Sequence, residues 1–443
     1  MKIKSIQKFN FTSQIPNKYI IAQNSQKSPV QAQSTASGNI FNQFAYQLNT
    51  PQTSLDAPEI TLEKTKLKNN ISLLIDTNSP NKPAGVITLY TLDKKGINPS
   101  AYEVLSKMLF RESSKIGENN NAATSFIKYN GNVLQCELDT TEANFFDTLN
   151  SSVNIILHPD LSQDNFNKAK NDLLNDSKSD DVSQKAMEVF CPRNNSSSDE
   201  LSKVTLDDVK KAHETILKNS QMTVAISLPK GFYQQNRDKI VQTFEQSFLQ
   251  MKDQTDHAIK INNIHPIDKD YRFEDKSDDR ATIERFYVID SEPTYKDSVK
   301  TSVLTALIET RIKSVLPQAQ TCEILIDNPA FESGSYIDIY LNSEGKKYAA
   351  ADMEKYLNNS VETFFKTTIS QEELNKVKKQ TAEKFAQLYK ISGYRAISLL
   401  QNYSDGTISV VKNRQILNEI TLDEMNKFAT EHLSKPSSTA IIE

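Results

Sequence analysis

The residues best placed to do chemistry sit in one phrase, GINPSAYEVLSKMLFRESS, which begins at Gly96 and carries Glu103, Ser106, Lys107 and Glu112. Positions i, i+3 and i+4 share a helical face, so Glu103, Ser106 and Lys107 would converge on whatever lies across from them. Of these three, only Glu103 carries a carboxylate. A serine cannot take a proton from water as a carboxylate can, and a protonated lysine has three donors and no lone pair, so Lys107 repels a metal ion. The same residues make structural sense. Ser100 and Glu103 read as a capping box, Glu103 and Lys107 as an exposed pair stabilising by about 0.2–0.5 kcal/mol, and Leu105, Met108 and Leu109 as the core face.

The remaining candidates are scattered. Five histidines, His158, His213, His257, His265 and His432, include no pair at i, i+3 or i+4. His213 and His432 fall in amphipathic helical stretches, where a lone imidazole is usually a surface or satisfied core group; His257 and His265 offer at most a weak metal site. Cys136, Cys191 and Cys322 are odd in number and far apart, which fits thiols rather than a disulfide framework or zinc ribbon. No G-x-S-x-G elbow marks a nucleophile. Ten glycines form no G-x-G or phosphate-binding loop. A net charge of −4 from 52 basic and 56 acidic residues gives no field for nucleic acid or anionic lipid, and no apolar run reaches the roughly 20 residues of a membrane span.

Helices and strands must position these residues. Runs at 60–67, 71–76 and 84–92 read as strands. Helices are expected at 100–113, 120–129, 142–157, 162–177, 205–218 and 233–250, with strands at 132–139 and 221–228. Residues 252–279 are charged, poorly patterned and read as a linker. A second series follows: strands at 283–290, 321–327 and 335–342, helices at 296–315, 347–366, 370–388, 393–403 and 421–433, and a strand at 438–443. Strands first and long helices after, in each half, imply two α+β units, each a mostly antiparallel sheet with helices on one face.

The two halves also share wording. LSQDNFNKAK from Leu161 is echoed by ISQEELNKVK from Ile369, and VTLDDVKK from Val204 by ITLDEMNK from Ile420. Each supplies a Ser or Thr cap and a hydrophobic staple, and the order of elements around them repeats, pointing to an internal duplication. The expected organisation is a disordered tail at 1–55, a first domain at 56–251, the linker at 252–279 and a second domain at 280–443. The tail holds five lysines, no arginine and no acid, the composition of a disordered segment. A cytoplasmic location is expected, with an organellar one as the alternative because an acid-poor, Ser-rich start is similar to a transit peptide.

The MLFRES helix after three strands, together with the repeated helix starts, resembles the insulinase and mitochondrial-processing-peptidase family of zinc metallopeptidases, the inverzincins, across about 58–443. The resemblance implies two related domains per chain and a helix that opens with H-x-x-E-H. Set on the family phrase, Glu103 and Lys107 replace the two histidines, Ser106 replaces the general-base glutamate, and Asp176 falls where the third ligand is kept. Family hydrolysis is therefore expected to be absent, and no cofactor is expected. Partner subunits of the family supply Arg and Tyr from R-E-x-x-G-L-A-Y; here Thr310, Arg311 and Ile312 start that phrase, and Pro317, Gln320 and Ile324 depart from it. The implied role is a non-catalytic subunit or scaffold that pairs with a homologue or with itself and forms part of a peptide chamber. The alternative is a zinc metalloendopeptidase with divergent ligands, drawn from Glu112, Glu118 or Asp176 and a distant histidine.

Overall fold

A computed structural model describes residues 59–91, 96–119, 123–130, 133–176, 196–249, 251, 262–263, 270–273, 281–290, 295–315, 320–327, 332–333, 335–343, 350–401, 410–434 and 437–442. The N-terminal segment 1–55 lies outside them.

The first sheet is built from β1 (Leu62–Lys66), β2 (Ser72–Ser79), β3 (Ala84–Thr91), β4 (Thr124–Asn130), β5 (Val133–Asp139) and β6 (Ser220–Pro229), in the order β1-β2-β6-β3-β5-β4. β2 runs parallel to β6 and every other pairing is antiparallel. Asn70 closes the β1–β2 turn in the left-handed region, φ 62°, which an asparagine tolerates. Its helices are α1 (Pro99–Asn119), α2 (Phe145–Leu157), α3 (Gln163–Asp176), α4 (Ser198–Lys203), α5 (Leu206–Asn219) and α6 (Lys230–Ser247).

The run ISLLID is apolar on both sides because both faces of β2 are covered. Leu73 and Ile75 join a core with Val224, Ile226, Leu105, Met108 and Leu109. Leu74 and Ala225, one residue out of phase, join the core of the second half. Alternation along a strand sends neighbouring side chains to opposite faces, so the sheet is a shared wall.

The second sheet contains β8 (Asp270–Phe273), β9 (Thr282–Asp290), β10 (Gln320–Asp327), β12 (Ser335–Ser343) and β13 (Ser437–Ile442), in the order β10-β12-β9-β13-β8. β7 (Asn262–Asn263) and β11 (Glu332–Ser333) form a separate parallel pair. β13 is parallel to β8, and the other pairings within the five-stranded sheet are antiparallel. Read from β2 or from β8, the two sheets have the same strand order and the same pairing senses: β2, β6, β3, β5, β4 match β8, β13, β9, β12, β10.

α7 (Tyr295–Val315), α8 (Ala350–Lys366), α9 (Gln371–Leu388), α10 (Ser392–Gln401), α11 (Val410–Glu419) and α12 (Leu422–Leu433) complete the second half. α10 packs across β2, β3 and β6 of the first sheet. The first half's own helices share the core on the Leu73 and Ile75 side of that sheet, and the opposite side is covered by α10 from the second half.

Other elements differ from the sequence reading. The helix expected over 120–129 is strand β4 where it is described: Ser125 and Ile127 both point into buried surroundings, and ladder pairing with β5 overrides local propensity. The stretch expected as linker contributes β8, an edge strand fixed by β13. α4 and α11 are short helices that the reading left as loop.

Candidate functional site

α1 starts two residues earlier than its serine suggested. Asn98 is the cap: its Oδ1 accepts from the Ser100 N–H at 3.0 Å, with Pro99 in the first helical position, where a missing N–H costs nothing. Ser100 is buried inside the first turn. Glu103 is thus not the partner of a serine cap. Its Oε1 instead accepts from both the Ser196 N–H at 2.8 Å and the Ser196 Oγ–H at 2.9 Å. The next residue, Ser197, caps α4 in a box with Glu200. Glu103 fixes the chain where it enters α4, and Ser106 and Lys107 lie half-buried on the same helix.

One turn on, the polar residues of α1 bind its neighbours. Arg111 forms an ion pair with Asp172 of α3. Glu112 accepts from the Asp160 N–H at 2.8 Å and from Asn165 Nδ2 at 3.5 Å. Burial raises the Glu112 pKa, the Asp160 N–H opposing it. Glu118 and Asp176 close α1 and α3, and their side chains lie outside the described set.

Among the described residues the histidines take part in no metal-holding group. His213 is buried with Nε2 2.8 Å from the Ile156 carbonyl oxygen, and desolvation lowers its pKa. His432 is buried edge-on against the Phe428 ring at 4.3 Å. His158 is exposed at the end of α2; His257 and His265 lie outside the described residues. Cys136 is fully buried, its pKa pushed up to about 12 by desolvation. Cys191 is not described, nor is the side chain of Cys322. Among the described residues no three His, Cys, Asp or Glu side chains come together as a metal site. An ammonium, a hydroxyl and a carboxylate already holding Ser196 do not fit zinc, which takes imidazole, thiolate or carboxylate.

Arg311 is likewise committed to the fold. Its Nε and Nη2 donate to Glu373 at 2.7 and 2.9 Å, Nη1 and Nη2 donate to the carbonyls of Thr367 and Thr368, and the guanidinium lies 4.2 Å from the Phe364 ring centre. Thr310 donates to the Ala306 carbonyl and Ile312 is buried. Pro317 is not described, and Gln320 and Ile324 lie in β10 without described side chains.

The sequence reading missed a fully buried ion pair. Arg395 of α10 reaches across to Asp76 of β2, Nε to Oδ2 at 2.6 Å and Nη2 to Oδ1 at 3.1 Å, both side chains without solvent exposure. Nη2 also donates to the carbonyls of Glu59 and Asn78 and Nη1 to that of Tyr389, while Ser227 Oγ donates to Asp76 Oδ2 at 2.6 Å. A conspicuous signal existed: one aspartate in an apolar strand run and one arginine in an apolar helix.

No family model and no curated protein matches the sequence. Solved structures do share its fold. A protease from Helicobacter pylori matches with TM-score 0.66 at 16% identity, over 87% of this chain and 100% of that one. A peptidase M16 inactive domain from Pseudomonas fluorescens matches with TM-score 0.66 at 13% identity, over 86% and 98%. A chain of complex III2 from Candida albicans, with Inz-5 bound, gives 0.62 at 13%, over 86% and 96%. The chain has the M16-type peptidase fold, a fold found in proteases and in inactive domains alike. No helix among the described residues is long and apolar enough to cross a membrane.

Proposed function

We propose that this chain is a non-catalytic M16-type homologue acting as a subunit, lending wall and peptide-contacting surface to a chamber completed by a homologous chain or by a second copy of itself. The observation that carries this reading is the Glu103–Ser196 contact. Where the resemblance places a first zinc ligand, the carboxylate instead holds a backbone turn, and the position of the second ligand is a lysine. Arg311, the arginine at the start of the partner-subunit phrase, is already bonded to Glu373. The similar inactive M16 domain and complex III chain favour the same reading.

The matching strand order of the two sheets supports a duplicated unit. A single chain then carries two of the four such units that, by the resemblance, enclose a peptide chamber. A cytoplasmic site is the proposed location, with an organelle as the alternative.

Isolation of the tagged full chain from its own cells, followed by mass determination in solution, tests the assembly. The expected result is a complex with a homologue bearing an intact H-x-x-E-H, or a dimer. A strictly monomeric protein without such a partner overturns it.

A further inference from the structure

A cavity of about 310 Å³ opens between α7 and α9, with Tyr394 of α10 at one end. This is at the lower end of the range for small-molecule sites, roughly 300–1,000 Å³. The cavity is a two-part surface. Ala306, Phe385, Leu388 and Tyr394 supply apolar wall, and Phe385 and Leu388 are largely buried.

The polar part is unbalanced. Glu309 and Lys313, one turn apart on α7, pair with each other and cancel. Lys384 on α9 makes no hydrogen bond or ion pair among the described residues, leaving one net positive charge at the cavity. Lys384 lines the cavity and is an exposed residue, so solvent reaches it. Surrounding protein nonetheless lowers its pKa, an effect opposed by Glu309 and reinforced by Lys313. The exposure governs whether a ligand can reach it.

Beside it Thr381 is 4% exposed, and its Oγ1 has no hydrogen-bond partner among the described residues. The α7 hydroxyls that line the same cavity differ: Ser302, Thr305 and Thr310 each donate to the carbonyl four residues earlier. A buried hydroxyl without a partner costs about 1–3 kcal/mol, and here it lies one helical turn from an uncommitted ammonium.

We propose that this cavity binds a small apolar carboxylate, its carboxylate held by Lys384 and Thr381 and its chain lying along Ala306, Phe385 and Leu388. The site stands apart from the non-catalytic assignment and would exist in a catalytic chain equally. A free short-chain acid and the C-terminal carboxylate of a short apolar peptide present the same chemistry.

Calorimetric titration of the full chain decides it, with octanoate, octan-1-ol, octylamine, and N-acetyl-leucyl-leucine as free acid and as amide. Octanoate is expected to bind at least about tenfold more tightly than octanol, the worth of one charge-assisted hydrogen bond, and octylamine not at all. Tighter binding of the free dipeptide than of octanoate, lost in its amide, assigns the site to peptide ends; the reverse order assigns it to free acids. Lys384→Met should weaken the preferred acid about tenfold or more and Thr381→Val about fivefold, both variants keeping the wild-type circular dichroism and melting curve. Equal binding of octanoate and octanol, no binding of either acid, or an unchanged affinity in Lys384→Met overturns the proposal. Should Lys384→Met fail to fold, Lys384→Gln serves the same comparison.

Discussion

Arg395 and Asp76 lie 319 residues apart in the chain and form a fully buried, two-bond ion pair that joins helix α10 to strand β2. Around it Ser79 and Ser392 share a hydrogen bond of 2.6 Å, and Asn81 donates to the Lys390 carbonyl. The contact is polar at its centre and apolar at its rim, where Leu74 and Ala225 enter the core of the second half. The ion pair therefore acts as a register pin between α10 and the first sheet, a contact otherwise held by non-directional packing.

Removing one partner should be far worse than removing both. Asp76→Asn leaves a buried guanidinium without its counter-charge and is expected to cost about 3–5 kcal/mol, whereas the Asp76→Leu, Arg395→Met double variant should be much milder. Urea unfolding of the three proteins measures the difference. Equal midpoints for wild type and Asp76→Asn would show that the pair is not formed.

Glu103→Ala should free Ser196 and the entry to α4. Two hydrogen bonds to one carboxylate are lost and two donors are left without it, an expected cost of about 1–3 kcal/mol. Hydrogen exchange should accelerate at residues 196–203 and remain unchanged in α5. A uniform effect across the chain would contradict a local tether.

The echoed phrases perform the same task in both halves. Lys170 donates to the carbonyls of Ser202 and Val204, just before the Thr205 cap of α5. Lys378 donates to those of Asn418 and Ile420, just before the Thr421 cap of α12. The side chains of Gln163 and Gln371 bond Asn167 and Asn375 in the same way, each at 2.9 Å. Thr205→Ala and Thr421→Ala should each cost about 1 kcal/mol, and the pair should be additive because the sites are far apart. A large effect at one and none at the other, by thermal melting, would break the equivalence.

Acid should loosen the capping boxes. Hydrogen bonds from Lys296 and then from the Thr421 backbone hold the Glu424 pKa down from 4.5 to about 2. Asp208 is lowered by its Thr205 bonds and Glu373 by Arg311. A depressed folded-state pKa stabilises above the unfolded value and ceases to as pH falls through the folded one. The Glu424 contribution should thus vanish between about pH 4.5 and pH 2. Glu112 and Asp139, raised by desolvation, act in the opposite sense and offset part of the loss. Melting temperature against pH for wild type and Glu424→Gln should converge at the acid end and separate above pH 4.5. Parallel curves would contradict the assignment.

Much of the fold was legible because its signals are local. Ser370 with Glu373, and Thr205 and Thr421 with their acids, form the boxes that the spacing announces. The core face of Leu105, Met108 and Leu109 follows from helical periodicity. Strands β4 and β8 were not legible, since each is fixed by a ladder partner rather than by its own sequence. Asp76 and Arg395 each stood out as a lone charge in an apolar run, yet nothing local could pair them. Lys384 and Thr381 lie in the helix expected at 370–388, and only the fold, by placing α7 across from them, puts them on a cavity.

The central claim is that the site of family chemistry has been given over to structure. Zinc content of the purified full chain, equilibrated with the metal and then desalted, measured alongside cleavage of a quenched-fluorescent peptide library with and without chelator, tests it most directly. The expected result is sub-stoichiometric zinc and no chelator-sensitive cleavage. One zinc per chain, removed together with peptidase activity by the chelator, would contradict it.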